Sequence, residues 1–161
     1  DSQVATRWGN ITDFKNFDLL TPNEKEARFS LADQDSNVSN LVRQLLSITK
    51  SKNIILKLGP RGVISANQKS LKFDNYGSKS RSFSLPSFAT NVVDATGTGD
   101  ALLAYSTLSI MLSKNLVISS IIGSMAAACE CESDGNITIS TNQILEKINN
   151  LENSKKYSQS K

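Results

Sequence analysis

The stretch at residues 92–104, VVDATGTGDALLA, constrains the fold more than any other part of this chain. Val92 and Val93 are β-branched and read as the end of a buried strand that Asp94 closes. Gly97 and Gly99 frame a tight turn, and Asp100 opens a run of helix formers, Ala101, Leu102, Leu103 and Ala104. A strand that passes through a glycine turn into a helix start builds an anion site. The first amide N–H groups of the helix lack intrahelical partners, and the macrodipole adds partial positive charge there. Glycine lets the main chain approach a phosphate closely, and Thr98 adds a hydroxyl donor. Asp100 admits two readings. It can favour the positive end of the helix, worth about 0.3–1 kcal/mol. It can also be a general base, taking a proton from a hydroxyl that attacks the phosphate held by the turn.

Other phosphate-binding patterns are excluded. The third glycine of G-x-G-x-x-G is missing after Gly97-Thr98-Gly99, and no G-x-x-x-x-G-K-[ST] occurs anywhere. The string closely resembles the signature of the ribokinase (PfkB-type) sugar kinase family, usually D-T-x-G-A-G-D. Here Ala95 stands for the first threonine and Thr98 for the middle alanine. In that family the G-x-G amides form the anion hole for the transferred phosphoryl group, and the last aspartate is the catalytic base. The resemblance therefore assigns catalytic roles to Gly97, Thr98, Gly99 and Asp100, with Thr96 among the nucleotide contacts.

Composition narrows the class. With 161 residues, 39% hydrophobic and 20% charged, the chain suits one soluble domain with a sizeable core. Its net charge is +3, of which the last ten residues carry +2, so no basic field points to nucleic acid. There is no histidine, which removes Ser-His-Asp and Cys-His catalysis and most zinc sites. Cys129 and Cys131 lie two apart in a helical pattern and read as reduced, buried small residues. The longest apolar stretch, residues 116–129, is interrupted by serines and shorter than the roughly 20 residues of a membrane span. A cytoplasmic location is expected, with no membrane partner.

From its beginning, the chain opens on Asp1-Ser2-Gln3, a polar segment of the kind that follows a strand. Residues 4–16 read as loop with one helical turn at 11–14, and residues 17–20 as a short strand. Thr21 suits an N-cap and Pro22 a first helical residue, with Glu24 completing a capping box. The alternative is that Asn23 and Glu26, three apart on one helix face, look into a site. Pro22, Asn23 and Glu26 match the family's P-N-x-x-E motif. There the pair is associated with the nucleotide phosphates and with water-coordinated Mg²⁺, so the resemblance makes Asn23 and Glu26 outer-shell metal residues. Residues 37–50 form an amphipathic crossover helix with an apolar stripe of Val38, Leu41, Val42, Leu45, Leu46 and Ile48.

Residues 53–58 are the next buried strand, and the GPRGVI that follows turns it into a hairpin whose second arm is residues 70–73. This segment is similar to the family's T-x-G-x-x-G, which lines the nucleotide phosphates. Gly59 and Gly62 match, and Lys57 stands at the threonine position, where it either pairs with a phosphate or snorkels away. Residues 74–82 read as loop and residues 83–85 as an edge strand ended by Pro86. Helices are expected at 99–112 and 116–131, the second with a small-residue face of Gly123, Ser124, Ala126, Ala127 and Ala128 for close packing on the sheet. In the family this helix walls the adenine pocket, which assigns Ala126 to the nucleotide. A turn at 134–136 and a last helix at 141–151 follow. Some family members hold a monovalent cation, which here would take oxygens of Asp94, Thr96 and carbonyls near Gly135.

Alternating strands and helices with motifs at strand ends imply a three-layer α/β/α, ribokinase-like fold, with a mainly parallel sheet and ligands at its C-terminal edge. The resemblance implies that residues 1–151 are the C-terminal, nucleotide-binding part of a kinase whose sugar-binding part precedes them, with a disordered tail at 152–161. It implies ATP-dependent phosphorylation of a sugar or sugar-phosphate hydroxyl, with ATP, Mg²⁺ and, in some members, K⁺. The wording of residues 20–27, LTPNEKEA, together with Asp1-Ser2-Gln3, leans toward the heptose-phosphate kinase-like subgroup. Two other classes stay open: a nucleotide-binding fragment or regulatory module without turnover, and a small-molecule binding module on the same fold. An open sheet edge is a surface through which a homodimer can form.

Overall fold

The computed structural model describes residues 10–71, 82–135 and 137–159. A 3-10 turn at Ile11–Asp13 leads to β1 (Leu19–Leu20), α1 (Glu24–Leu31), α2 (Val38–Thr49) and β2 (Asn53–Lys57). A second 3-10 turn, Gly59–Arg61, reverses the chain into β3 (Val63–Asn67), followed by α3 (Gln68–Leu71) and β4 (Phe83–Leu85). The chain ends in three helices, α4 (Thr98–Ser113), α5 (Leu116–Cys131) and α6 (Thr141–Gln159).

Strands run in the order β1-β2-β3-β4. β1 lies parallel to β2, while β2–β3 and β3–β4 are antiparallel. The pairing is therefore mixed rather than mainly parallel, because the Gly59–Gly62 turn folds β3 straight back on β2 with Lys57 opposite Val63. The second hairpin arm is Val63–Asn67, not residues 70–73: Ser70 falls in α3, and Phe73 lies outside the described residues, as does most of the expected loop at 74–82. β3 hides its arm from pattern reading because both faces are buried, Ser65 included, whose hydroxyl meets that of Ser120 at 2.9 Å.

Period-2 alternation along β2 sorts the core into layers. Ile54 and Leu56 pack on Leu41, Val42, Leu45 and Leu46 of α2, while Ile55 faces the other way toward Leu102, Leu116 and Ala127 of α4 and α5. α1 and α2 thus cover one face and the α4–α5 hairpin the other, giving the three layers expected. A third cluster joins Met125, Ala126 and Cys129 of α5 to Ile139 and Ile144. In α2 the buried stripe ends on Thr49, not on Ile48, which is 42% exposed.

Asparagine caps three of these helices, α1, α2 and α5. Asn37 accepts from the Asn40 N–H, and Asn115 accepts from Val117 and Ile118. α1 starts two residues later than Thr21-Pro22 predicts, since Asn23 is its N-cap and Glu26 closes the capping box. The i, i+3 pair that closes the ring is Asn23/Glu26; Thr21 instead is fully buried.

Val92 and Val93 do not end a strand. They are 63% and 52% exposed, and the Val93 and Asp94 N–H groups donate to the Cys131 carbonyl at the end of α5 (2.7 and 3.2 Å). A helix end, rather than a neighbouring strand, satisfies these amides. α6 continues through Gln159, so residues 152–159 are helical rather than a disordered tail, polar composition being no bar to a helix of Glu, Lys and Ser. Among the described residues no helix is long and apolar enough to cross a membrane.

Candidate active site

A cleft of about 390 Å³ opens beyond the end of β2, between the start of α1, the Gly59–Gly62 turn, the segment after β4, the start of α4 and one face of α5. It gathers Asn23, Lys57, Gly59, Gly62, Thr98 and Gly99, which lie up to 76 residues apart in sequence. The reason they meet is topological. β2 delivers Lys57 to the edge, where its N–H donates to the Pro22 carbonyl (2.8 Å) and ties it to the start of α1.

The start of α4 differs from its neighbours. Gly97 occupies the N-cap position with φ 80° and offers no side chain to the first helical amides. A residue with a Cβ would be strained there. Thr98 Oγ1 is buried and has no hydrogen-bond partner among the described residues, although it lines the cleft. An unsatisfied buried hydroxyl costs about 1–3 kcal/mol, and an anion accepting from it would remove that cost. Asp100 stands exposed in the first turn of α4, next to Gly99 but outside the cleft lining.

On the facing wall, the Asn23 side chain accepts from the Glu26 N–H (2.9 Å) and Glu26 Oε2 accepts from the Asn23 N–H (2.7 Å). Glu26 is buried, with this reciprocal pair holding it. Lys57 is half-buried, and burial pushes its ammonium below the ordinary lysine range, while the charges of Glu26 and Asp100 oppose that fall. Lys57 therefore lies within the electrostatic reach of both carboxylates. Outside the cleft, Glu24 bridges Arg28 (2.8 Å) and Arg61, anchoring the 59–62 turn to α1.

Gly62 is required by its surroundings. At φ 85°, a Cβ built on it would lie 2.1 Å from the Leu85 carbonyl oxygen. The turn is thus pressed against the segment that leaves β4. That segment, with Phe88 on the cleft wall, was not singled out in the sequence; its only signal was an apolar residue between Pro86 and a polar loop.

Six expected residues do not line the cleft: Gly97, Asp100 and Glu26, each adjoining or bonded to a residue that does, and Asp94, Thr96 and Ala126, which sit elsewhere. Thr96 is exposed, and its N–H donates to Asp94 Oδ1 (2.9 Å), a bond that lowers the Asp94 carboxyl below its ordinary value. Both belong to the approach to the turn rather than to the cleft lining. Ala126 is fully buried against α6, and the neighbouring Ala127 and Ala128 reach the cleft instead. One residue is a rotation of about 100° on a helix, enough to exchange core for cleft. Cys129 and Cys131 are free and buried, and desolvation raises both thiols.

The profile of the pfkB family carbohydrate kinases matches residues 8–143. The chain belongs to that family. Its fold agrees with solved members and relatives of the pfkB family. Ribokinase of Thermotoga maritima superposes with a TM-score of 0.68 at 25% identity, over 82% of this chain and 42% of that one. Phosphofructokinase-2 of Escherichia coli, solved in complex with potassium, gives 0.71 at 16% identity, over 88% and 43%. Arabidopsis thaliana ribokinase, complexed with ribose and ATP, gives 0.65 at 23%, over 81% and 40%. The chain thus spans about two fifths of the length of these pfkB-family structures. No curated protein matches by sequence comparison.

Proposed function

We propose that this chain is the nucleotide-binding part of an ATP-dependent kinase acting on a sugar or sugar-phosphate hydroxyl. The observation that carries the reading is the convergence of an uncapped helix start, an unsatisfied Thr98 hydroxyl and Lys57 on one cleft. In this reading the Gly97–Gly99 amides and Thr98 hold the transferring phosphoryl group, and Lys57, Gly59 and Gly62 flank the rest of the phosphate chain. The N–H dipoles stabilise negative charge where it develops, without reorganising at the moment of reaction. Asp100 Oδ accepts the proton of the acceptor hydroxyl as its oxygen attacks phosphorus.

Mg²⁺, when bound, neutralises charge on the phosphate oxygens. Asn23 and Glu26 fit a role toward that ion's waters: Asn23 Oδ1 and Glu26 Oε2 are each committed to a backbone N–H, which suits outer-shell holding better than direct ligation. A monovalent cation fits Asp94, Thr96 and the turn at Gly135, in line with the potassium held by the phosphofructokinase-2 structure. The wording of residues 20–27 favours a heptose-phosphate-type acceptor.

The partial coverage of solved relatives favours a second reading, a nucleotide-binding module without turnover of its own. One preparation separates the two. Calorimetric titration with ATP and Mg²⁺ is expected to show binding, and a phosphotransfer assay over sugars and sugar phosphates is expected to show none for this chain alone. Sugar-dependent turnover by residues 1–161 would overturn the second reading, and absence of any ATP binding would overturn both. In a preparation with turnover, Asp100→Asn is expected to keep nucleotide affinity and lower the rate by roughly 10²–10⁴-fold. Full activity in that variant would remove Asp100 from the mechanism.

A further inference from the structure

Among the described residues that line the cleft, Lys57 alone carries a charged side chain. It stands at the ligand end of β2, and its main chain is held from both sides. Its N–H donates to the Pro22 carbonyl (2.8 Å), it bridges Asn23 in parallel, and it faces Val63 across the β2–β3 hairpin. The ammonium is therefore placed before any ligand arrives. Desolvation on the cleft wall lowers its affinity for the proton, and the carboxylates of Glu26 and Asp100 act in the opposite sense. Those two carboxylates belong to the starts of α1 and α4, so Lys57 feels the charge of both helix starts that border the cleft. Arg61, in the turn that follows, is committed to Glu24.

A triphosphate brings several negative charges into such a cleft, and burying them without a counter-charge is costly. Mg²⁺ usually supplies it, held by one or two carboxylates together with the phosphates. The acidic groups here suit only the outer shell of that ion. Glu26 Oε2 and Asn23 Oδ1 each accept a backbone N–H, and Asp100 stands outside the cleft lining. Among the described residues no group of three or more His, Cys, Asp or Glu side chains could hold a metal. The protein thus adds little to the hold on a divalent ion, whereas a fixed ammonium meets the same need as a point charge toward phosphate.

We propose that the Lys57 ammonium is a built-in counter-ion for the nucleotide phosphates, so that the cleft takes ATP free of Mg²⁺ nearly as well as MgATP. The proposal rests on the nucleotide-binding reading above and goes beyond it, because it assigns the charge that binding requires to the protein rather than to the ion. The desolvation already imposed on Lys57 favours this role: a phosphate that reaches the ammonium meets a charge with part of its water already removed.

The test reads binding and needs no turnover. Calorimetric titration of the chain with ATP is run in excess EDTA and in MgCl₂ at equal ionic strength. The unaltered chain is expected to bind the two forms with Kd values within roughly tenfold of each other. Lys57→Met keeps the aliphatic stem and removes the charge. It is expected to weaken binding of metal-free ATP by roughly 10–100-fold and of MgATP by a smaller factor, while Lys57→Arg keeps the metal-free binding. MgATP binding in the unaltered chain with metal-free ATP weaker than that tenfold span would overturn the proposal and leave the kinase reading standing. Equal losses of both forms in Lys57→Met, or a loss in Lys57→Arg as large as in Lys57→Met, would overturn it too. If neither form binds, the proposal and the kinase reading fall together. Should Lys57→Met fail to fold, Lys57→Gln carries the same comparison.

Discussion

Gly62→Ala probes how the cleft is held together. The added Cβ would lie 2.1 Å from the Leu85 oxygen, 2.5 Å from the Pro86 carbonyl carbon and 2.7 Å from the Ser87 nitrogen. All three are main-chain atoms, so no side-chain rotation relieves the clash. The residue also holds φ 85° and ψ −132°, a region that costs a residue with a Cβ about 1–3 kcal/mol. Pushing β4's exit away adds an overpacking cost of about 1–3 kcal/mol. Together these give a loss of about 2–6 kcal/mol, or a fall in Tm on the order of 10 °C for a chain of this length. Gly59→Ala is the matched control. It shares the positive φ, at 61°, but nothing lies within 4 Å of its Cβ, so it should lose only about 1–2 kcal/mol. Urea and thermal unfolding followed by circular dichroism give both values. If the two variants melt within about 2 °C of each other, the 59–62 turn is not wedged against β4 and this account of the cleft wall fails.

Two further outcomes follow from the packing and charge already described. A Cβ at position 123 would lie 1.9 Å from Ser106 Oγ and 2.9 Å from the Leu102 carbonyl oxygen. Gly123→Ala should therefore cost about 1–3 kcal/mol by prising α4 from α5, and more than Ser106→Ala, which only loses a bond to the Ser119 carbonyl; equal urea midpoints would contradict the close approach. The Asp33 carboxyl is pushed down to about 2, first by the Ser36 backbone N–H and then by the Gln44 amide. A group whose folded value lies below its ordinary 3.8 lends stability that is whole above pH 4 and is lost as pH falls toward 2. Asp33→Asn should flatten the urea midpoint between pH 5 and pH 2.5, and an unaltered acid limb would argue against these bonds.

Much of the site was legible because its chemistry is local. The glycine turn before α4, the crossover helix α2 and the capped start of α1 rest on contacts between residues three or four apart, and such contacts are written in short words of sequence. The same locality explains the near misses. Thr21 reads as the cap from sequence, and only the reciprocal fit of Glu26 to Asn23 moves the cap two residues on. Ala126 and Ala127 are chemically alike, and only the position of α6 assigns one to core and the other to the cleft.

By itself, then, the amino-acid order determined the helices, the glycine turn before α4 and the family to which the chain belongs. Tertiary structure alone decided that the arm folding back on β2 is Val63–Asn67, that the amides at Val93 and Asp94 end on α5 rather than on a strand, and that Thr98 and Glu130 each keep an oxygen with no partner among the described residues. The reason is physical: whether a buried polar atom finds a partner depends on what another element brings within about 3 Å of it, and no local pattern records that distance.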